Sequence, residues 1–316
     1  MTVHDAADRD LDVLVVGDAN PDLVLRGDVV PRFGQAEQLL DAADLVLAGS
    51  AGIVAAGAAR LGLRTALVAH VGADPFGDLV VTGLAAAGVD TSLLRIEDDV
   101  PTGLSVILSA PDDRAILTRL GAIPLLDPDT VTDDVLARAR HVHVASWFLV
   151  PGLAARGADL LARARAAGCT TSLDTNWDPA DRWDGVAAAL PHVDVVLPNA
   201  AELVALGRVL DPGADDVDAA AAVLRAAGPR VALKAGAAGA VGWDDSGRHT
   251  AAGLAVDVVD TTGAGDSFDA GFLAAMLDGL PFAACLRHAA VAGSLSTRAA
   301  GGTAAQATRA ELSGLV

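Results

Sequence analysis

The sequence predicts an α/β fold: a central, mostly parallel sheet between layers of helices, with a second, small β-sheet beside it. Three observations predict it. Short apolar runs alternate with Ala-rich helical patterns along most of the chain, as parallel strands joined by crossover helices require. Two segments break that alternation and read as paired short strands. Hydrophobic residues make up 52% of the 316 positions, enough for one large core.

Residues 11–16 are apolar and end at Gly17-Asp18, which reads as a buried first strand. Stretches 22–26 and 37–40 form the first irregular segment. Stretches 103–108 and 114–119 form the second, with Pro111-Asp112-Asp113 as a hairpin signal between them. The small sheet is therefore expected on segments 20–42 and 100–120. Further core strands are expected at 65–71, 141–145, 170–173, 193–197 and 231–234, and helices at 53–61, 75–87, 153–167, 215–227 and 265–277. Ligands of such sheets bind beyond the carboxyl ends of the strands. Asp174, Asn199, Gly236 and a turn at Gly263 fall there. One domain over 11–316 is expected, with 1–10 as a flexible N-terminus.

Composition narrows the function. A net charge of −19 repels nucleic acid and anionic membranes, so neither is an expected partner. An anionic ligand must be met locally, by helix dipoles, a few cations and a metal ion. Lys234 is the only lysine; every other basic residue is Arg. Two cysteines, Cys169 and Cys285, fit a reducing, cytoplasmic setting better than a disulfide scaffold. Residues 1–9 are polar and of mixed charge, unlike a signal peptide, and the apolar runs are too short to span a membrane.

The most informative stretch is Asp260-Thr261-Thr262-Gly263-Ala264-Gly265-Asp266-Ser267-Phe268-Asp269-Ala270-Gly271-Phe272. A glycine-rich turn runs into an apolar helical pattern, which leaves N–H groups uncovered at a helix start. Asp266 stands in the same turn, where anion binding alone has no use for a carboxylate. The pair makes sense if Asp266 takes a proton from an alcohol while the N–H groups of Gly263, Ala264 and Gly265 hold phosphate charge. As ordinary structure, the same Asp is a helix cap.

This stretch resembles the signature of the ribokinase/PfkB family of carbohydrate and nucleoside kinases. The resemblance implies a ribokinase-like three-layer sandwich with a β-sheet lid, ATP as cosubstrate, Mg²⁺, and Asp266 as the base that activates the acceptor hydroxyl. Other motifs follow in family order. Gly17-Asp18-Ala19-Asn20-Pro21-Asp22 is similar to a segment whose acid grips substrate hydroxyls, which puts Asn20 and Asp22 on the acceptor. Ala48-Gly49-Ser50-Ala51-Gly52-Ile53 resembles the first family signature and puts Gly49 and Ser50 there too. It departs from it at Ala48, usually Gly, and at Ile53, usually Asn. Asp174-Thr175-Asn176-Trp177-Asp178-Pro179 and Pro198-Asn199-Ala200-Ala201-Glu202 resemble two later motifs. The second implies that Asn199 and Glu202 organise Mg²⁺ through water; as plain structure it is a helix start.

Residues 231–240 resemble a turn bordering ATP, which implicates Lys234, Gly236 and Gly239. Leu295-Ser296-Thr297-Arg298, followed by Ala299-Ala300-Gly301-Gly302, resembles the loop around adenine and a monovalent cation. That implies Gly301 near the nucleotide, with Asp260 and Thr262 at a K⁺ site. Ala289, beside His288, takes the place of an Asn near the base. Arg119 and Trp147 are expected at the acceptor. A nucleoside acceptor would want an apolar slot, for which Phe33, Trp147 and Phe148 are available. A sugar acid would want Arg114 or Arg119. A non-catalytic sugar sensor of the same fold is the remaining alternative. Homodimerisation through the lid strands would cover their exposed edges.

Overall fold

The computed structural model describes residues 9–35, 37–110 and 114–316. In chain order the strands are β1 (Leu11–Val16), β2 (Asn20–Gly27), β3 (Leu40–Ala48), β4 (Thr65–Val68), β5 (His70–Gly72), β6 (Arg95–Glu97) and β7 (Leu104–Ser109). They continue as β8 (Arg114–Arg119), β9 (Ala139–Val144), β10 (Thr170–Leu173), β11 (Val195–Val196), β12 (Arg230–Lys234), β13 (Ala240–Asp244) and β14 (Gly247–Ala251). Eight form the main sheet, in the order β14-β13-β12-β11-β10-β9-β1-β4. All its pairings are parallel except the two that add β13 and β14 at one edge.

The inner parallel strands of this sheet are buried on both faces, because helices cover both, whereas β14 at the antiparallel edge is largely exposed. Along β1, Leu14 and Val16 enter one hydrophobic cluster, together with Leu160 and Leu161 of the helix Pro151–Ala166. Val13 and Val15 enter the other, with Val54 of Ser50–Arg60 and Leu273 of Ala264–Leu277. Trp147 is fully buried in the first cluster and donates its indole N–H to the Asp184 carbonyl at 3.0 Å. A Cβ at Gly157 would lie 2.4 Å from the Trp147 ring. Gly157→Ala is therefore expected to cost roughly 1–3 kcal/mol by overpacking, read as a lowered melting temperature with activity retained at 25 °C.

The smaller sheet has the order β3-β2-β7-β8, and β2 and β7 run parallel although far apart in the chain. Its second strand from segment 20–42 differs from expectation. Residues 37–40 are not that strand; β3 begins at Leu40 and runs to Ala48, paired with β2 from Asn20↔Ala48 to Gly27↔Leu40. Asp41 and Asp44 look like turn residues, but on an edge strand acids face solvent and are tolerated. Residues 65–71 are likewise not one strand: β4 joins the main sheet, whereas β5 turns away to pair with β6. The Pro111–Asp113 turn and residues 1–8 lie outside the described residues. Arg9, expected in a flexible tail, is buried and donates to the Ala139 and Ala167 carbonyls. No helix among the described residues is long and apolar enough to cross a membrane.

Candidate active site

The turn at Gly263 begins the helix Ala264–Leu277 with no side chain capping it. The Ala264 N–H donates to the Thr261 carbonyl at 3.2 Å, and the N–H groups that follow it in the first turn are left for a ligand. Gly263 has φ +69°, and a Cβ there would meet the Gly302 Cα at 2.5 Å. Asp260 braces the turn from behind: one carboxylate oxygen accepts from the Thr262 N–H at 2.9 Å, the other from the Gly301 N–H at 2.8 Å. Gly301 thus closes the turn and lines neither of the two clefts beside it.

Two clefts meet at this helix start. One, of about 220 Å³, lies between the carboxyl ends of the main-sheet strands and the inner face of the smaller sheet. Asn20, Asp22, Gly49, Ser50, Thr262, Gly263 and Asp266 line it. The other, of about 470 Å³, is bordered by Lys234, Gly236, Gly239, Thr261, Ala264 and Gly265, with an apolar end at Leu254, Val256 and Val258. Asp266 faces the first cleft and Gly265 the second, so the helix start is the wall between them.

In the first cleft, Asp22 comes from the start of β2. Asn20 holds it through an Nδ2–Oδ1 hydrogen bond of 3.1 Å. Burial, and then the neighbouring Asp18 charge, push Asp22 up to about 7. Asp266 accepts from Ser50 Oγ at 2.5 Å, and Asn176 Nδ2 approaches that hydroxyl at 3.3 Å. Burial also pushes Asp266 up to about 7; the Lys234 charge opposes this and the Asp174 charge adds to it. A carboxyl titrating near neutrality is suited to taking up a proton. Ile53, at the family's Asn position, packs against Gly263 and Gly302 and makes that wall apolar.

Behind the second cleft, Asn199 and Glu202 form a reciprocal capping box: the Asn199 N–H donates to Glu202 at 2.8 Å and the Glu202 N–H to Asn199 at 3.0 Å. Neither lines either cleft. Glu202 is buried, and burial followed by the Asp174 charge raises it to about 7.

Four expected contacts are corrected. Trp147 is core, not acceptor site. Arg119 is exposed and does not line the cleft, whereas Arg114 of the same strand does. Their positions differ by an odd number of residues, so they face opposite sides of β8. Ala289 is fully buried in the cluster with Phe268 and Phe272; Ala290, Gly293 and Ser294 border the second cleft instead. Phe33 is wholly exposed and lines neither cleft. Two acids were missed. Asp18 lies in the loop before β2, lines the first cleft and accepts the Ala51 N–H at 3.0 Å. Asp269 is fully buried one helical turn beyond Asp266; its i+3 spacing was the available signal.

A buried carboxyl at a helix start, between an acidic polar cleft and a half-apolar one, is the arrangement a small-molecule kinase requires. The pfkB family carbohydrate kinase profile matches residues 10–309. The chain belongs to that family and is an ATP-dependent carbohydrate kinase. It is 33% identical to an ATP-dependent ribose-1-phosphate kinase of Halopiger xanaduensis, over 90% of this chain and 91% of that one. It is 30% identical to a 2-dehydro-3-deoxygluconokinase of Bacillus subtilis, over 84% and 85%. The fold superposes on Arabidopsis thaliana ribokinase complexed with ribose and ATP, with a TM-score of 0.83 and 26% identity, covering 96% and 98% of the two chains.

Proposed function

We propose that the chain transfers the γ-phosphoryl group of ATP to a hydroxyl of a sugar that also carries an anionic group. The observation that carries the transfer step is the shared wall: one helix start presents Asp266 and Gly263 to one cleft and Ala264 and Gly265 to the other. Asp266 takes the hydroxyl proton. The acceptor oxygen bonds to the γ-phosphorus as the bond to the ADP oxygen breaks with its electron pair. The Gly263–Gly265 N–H groups meet the charge on the moving phosphoryl group. Asp22, steadied by Asn20, accepts acceptor hydroxyls, and the smaller sheet closes over them as a lid.

Mg²⁺ fits beside Glu202, a buried carboxyl whose proton affinity is raised by burial and then by the Asp174 charge. Contact through water suits side chains already engaged in a capping box. When bound, the ion neutralises charge on the nucleotide phosphates. Thr262 Oγ1, buried and unpartnered beside Asp260, supports a monovalent cation such as K⁺ there. Homodimerisation through the smaller sheet would cover Leu45 and Leu117, which are exposed on the face turned away from the first cleft, and a cytosolic location accords with ATP use.

Arg114 supports the anionic acceptor, as the one cationic side chain among the described residues that line the first cleft. The test is ADP release with ribose 1-phosphate, keto-deoxy sugar acids, ribose, fructose and nucleosides. An anionic sugar is expected to give the highest kcat/KM. Arg114→Gln should raise its KM by roughly 10- to 100-fold, as loss of a charge-assisted hydrogen bond implies, with neutral sugars unchanged. Phe148 and Trp177 also line the cleft and favour a second reading, a nucleoside acceptor, which the same panel separates.

A further inference from the structure

Lys234, at the end of β12, stands apart from the chemistry described so far. Its ammonium lies 2.5 Å from Asp174 Oδ2 and 2.9 Å from Asp269 Oδ2. Its side chain is 13% exposed, those of its partners 2% and 0%. The side chain runs under the glycine turn: a Cβ on Gly265 would sit 3.4 Å from Lys234 Cδ and 3.6 Å from Nζ. One carboxylate oxygen from each of Asp174, Asp266 and Asp269 falls within a cluster 4.8 Å across. Three carboxylates so close suit a cation, and Nζ bonds two of them. Asp269 Oδ1, fully buried, has no hydrogen-bond partner; Oδ2 accepts from Lys234, and the Asp269 carboxyl, held well above its usual range by burial, also shares a side-chain hydrogen bond with Asp174. An amine in this position needs no recruitment from solvent, unlike a metal ion.

Resting on the reading of Asp266 as the base, we propose that Lys234 is a resident cation of the transfer site. Its ammonium, clamped by Asp174 and Asp269, fixes the Asp266 carboxylate and sets a permanent positive charge beneath the phosphate-binding turn. Lys234 is thus a positioning residue acting through Asp266 and the turn, and Asp269 is the anchor that aims it. A fixed charge in a water-poor site acts on the transition state without reorganisation. Arg, the chain's usual basic residue, has a planar fork that does not fit a compact point-charge site between two carboxylates.

The test compares Lys234→Ala, Asp269→Asn and Asp266→Asn in the full chain with ATP, Mg²⁺ and the best acceptor. Lys234→Ala is expected to lose about 100-fold or more in kcat, the scale of one oxyanion donor, with both KM values within about threefold. Propylammonium, which replaces the deleted atoms, should restore at least about tenfold of that loss, and tetramethylammonium, which has no N–H, should restore none. A kcat within about threefold of wild type, or a loss confined to the KM for ATP, overturns the proposal. If Lys234→Ala does not fold, Asp269→Asn decides. Its kcat should fall about tenfold with KM and melting temperature little changed, and wild-type kcat overturns the proposal. Asp266→Asn separates the two readings: if it turns over normally, the base assignment fails; if it is dead while Lys234→Ala is unimpaired, only the role of Lys234 fails.

Discussion

Asp266→Asn is expected to lower kcat by roughly 10²- to 10⁴-fold, the range for loss of a general base, with little change in either KM. Asn fills the same space and keeps the Ser50 hydrogen bond, so a stable, well-ordered and inactive protein is the expected result. The wild-type pH profile is the companion measurement. Asp266 must be ionised to act, and burial places its titration at about 7, so kcat/KM should fall as pH drops through that value. Stability should run the other way. A carboxyl raised from 3.8 to about 7 binds its proton more tightly in the folded chain. Its contribution is therefore fully present below the unfolded value and is lost as pH rises through the folded one. Asp22 and Glu202 shift in the same direction, so the ligand-free protein should melt lower at pH 8 than at pH 5. A flat activity profile across this window would remove Asp266 as the base.

Gly263→Ala has the second large expected effect. The position needs φ +69°, and its Cβ would strike main chain, the Gly302 Cα at 2.5 Å. Backbone cannot rotate away as a side-chain tip can, so the turn must move. The left-handed conformation alone costs about 1–2 kcal/mol for an L-residue. Displacing the N–H groups should lower kcat by about 10²- to 10³-fold, the cost of losing an oxyanion donor. Steady-state kinetics alongside a melt would separate the two effects. A variant that loses stability but keeps its kcat would show that these N–H groups do not carry the phosphate.

The main sheet was legible because doubly buried parallel strands are short apolar runs between helices; β1 and β10 lie where their composition places them. β3 was not, because its acids sit on an exposed edge where side chains do not reveal the pairing. Asp266, Asp22, Asn20, Gly49 and Ser50 do share one cleft: local motifs encode turns, and the turns follow strands that converge at one sheet edge. Trp147 was misplaced because a Trp after a strand reads alike as a ring for a ligand or as core, and only the close approach of Gly157 distinguishes them. The Lys234–Asp174–Asp269 cluster lay beyond sequence reasoning for another reason. Its members are 35 and 60 residues apart, and nothing local announces that two strands and a helix bring them together.

The helix start between the two clefts also limits the order of events. Acceptor and nucleotide approach it from opposite sides, so neither blocks the other's entrance. On the proposed reading, transfer through such a partition is a single displacement within a ternary complex. Initial-rate plots are then expected to intersect rather than run parallel, and an isotopically chiral γ-phosphate is expected to emerge inverted; parallel plots or retention would overturn that reading.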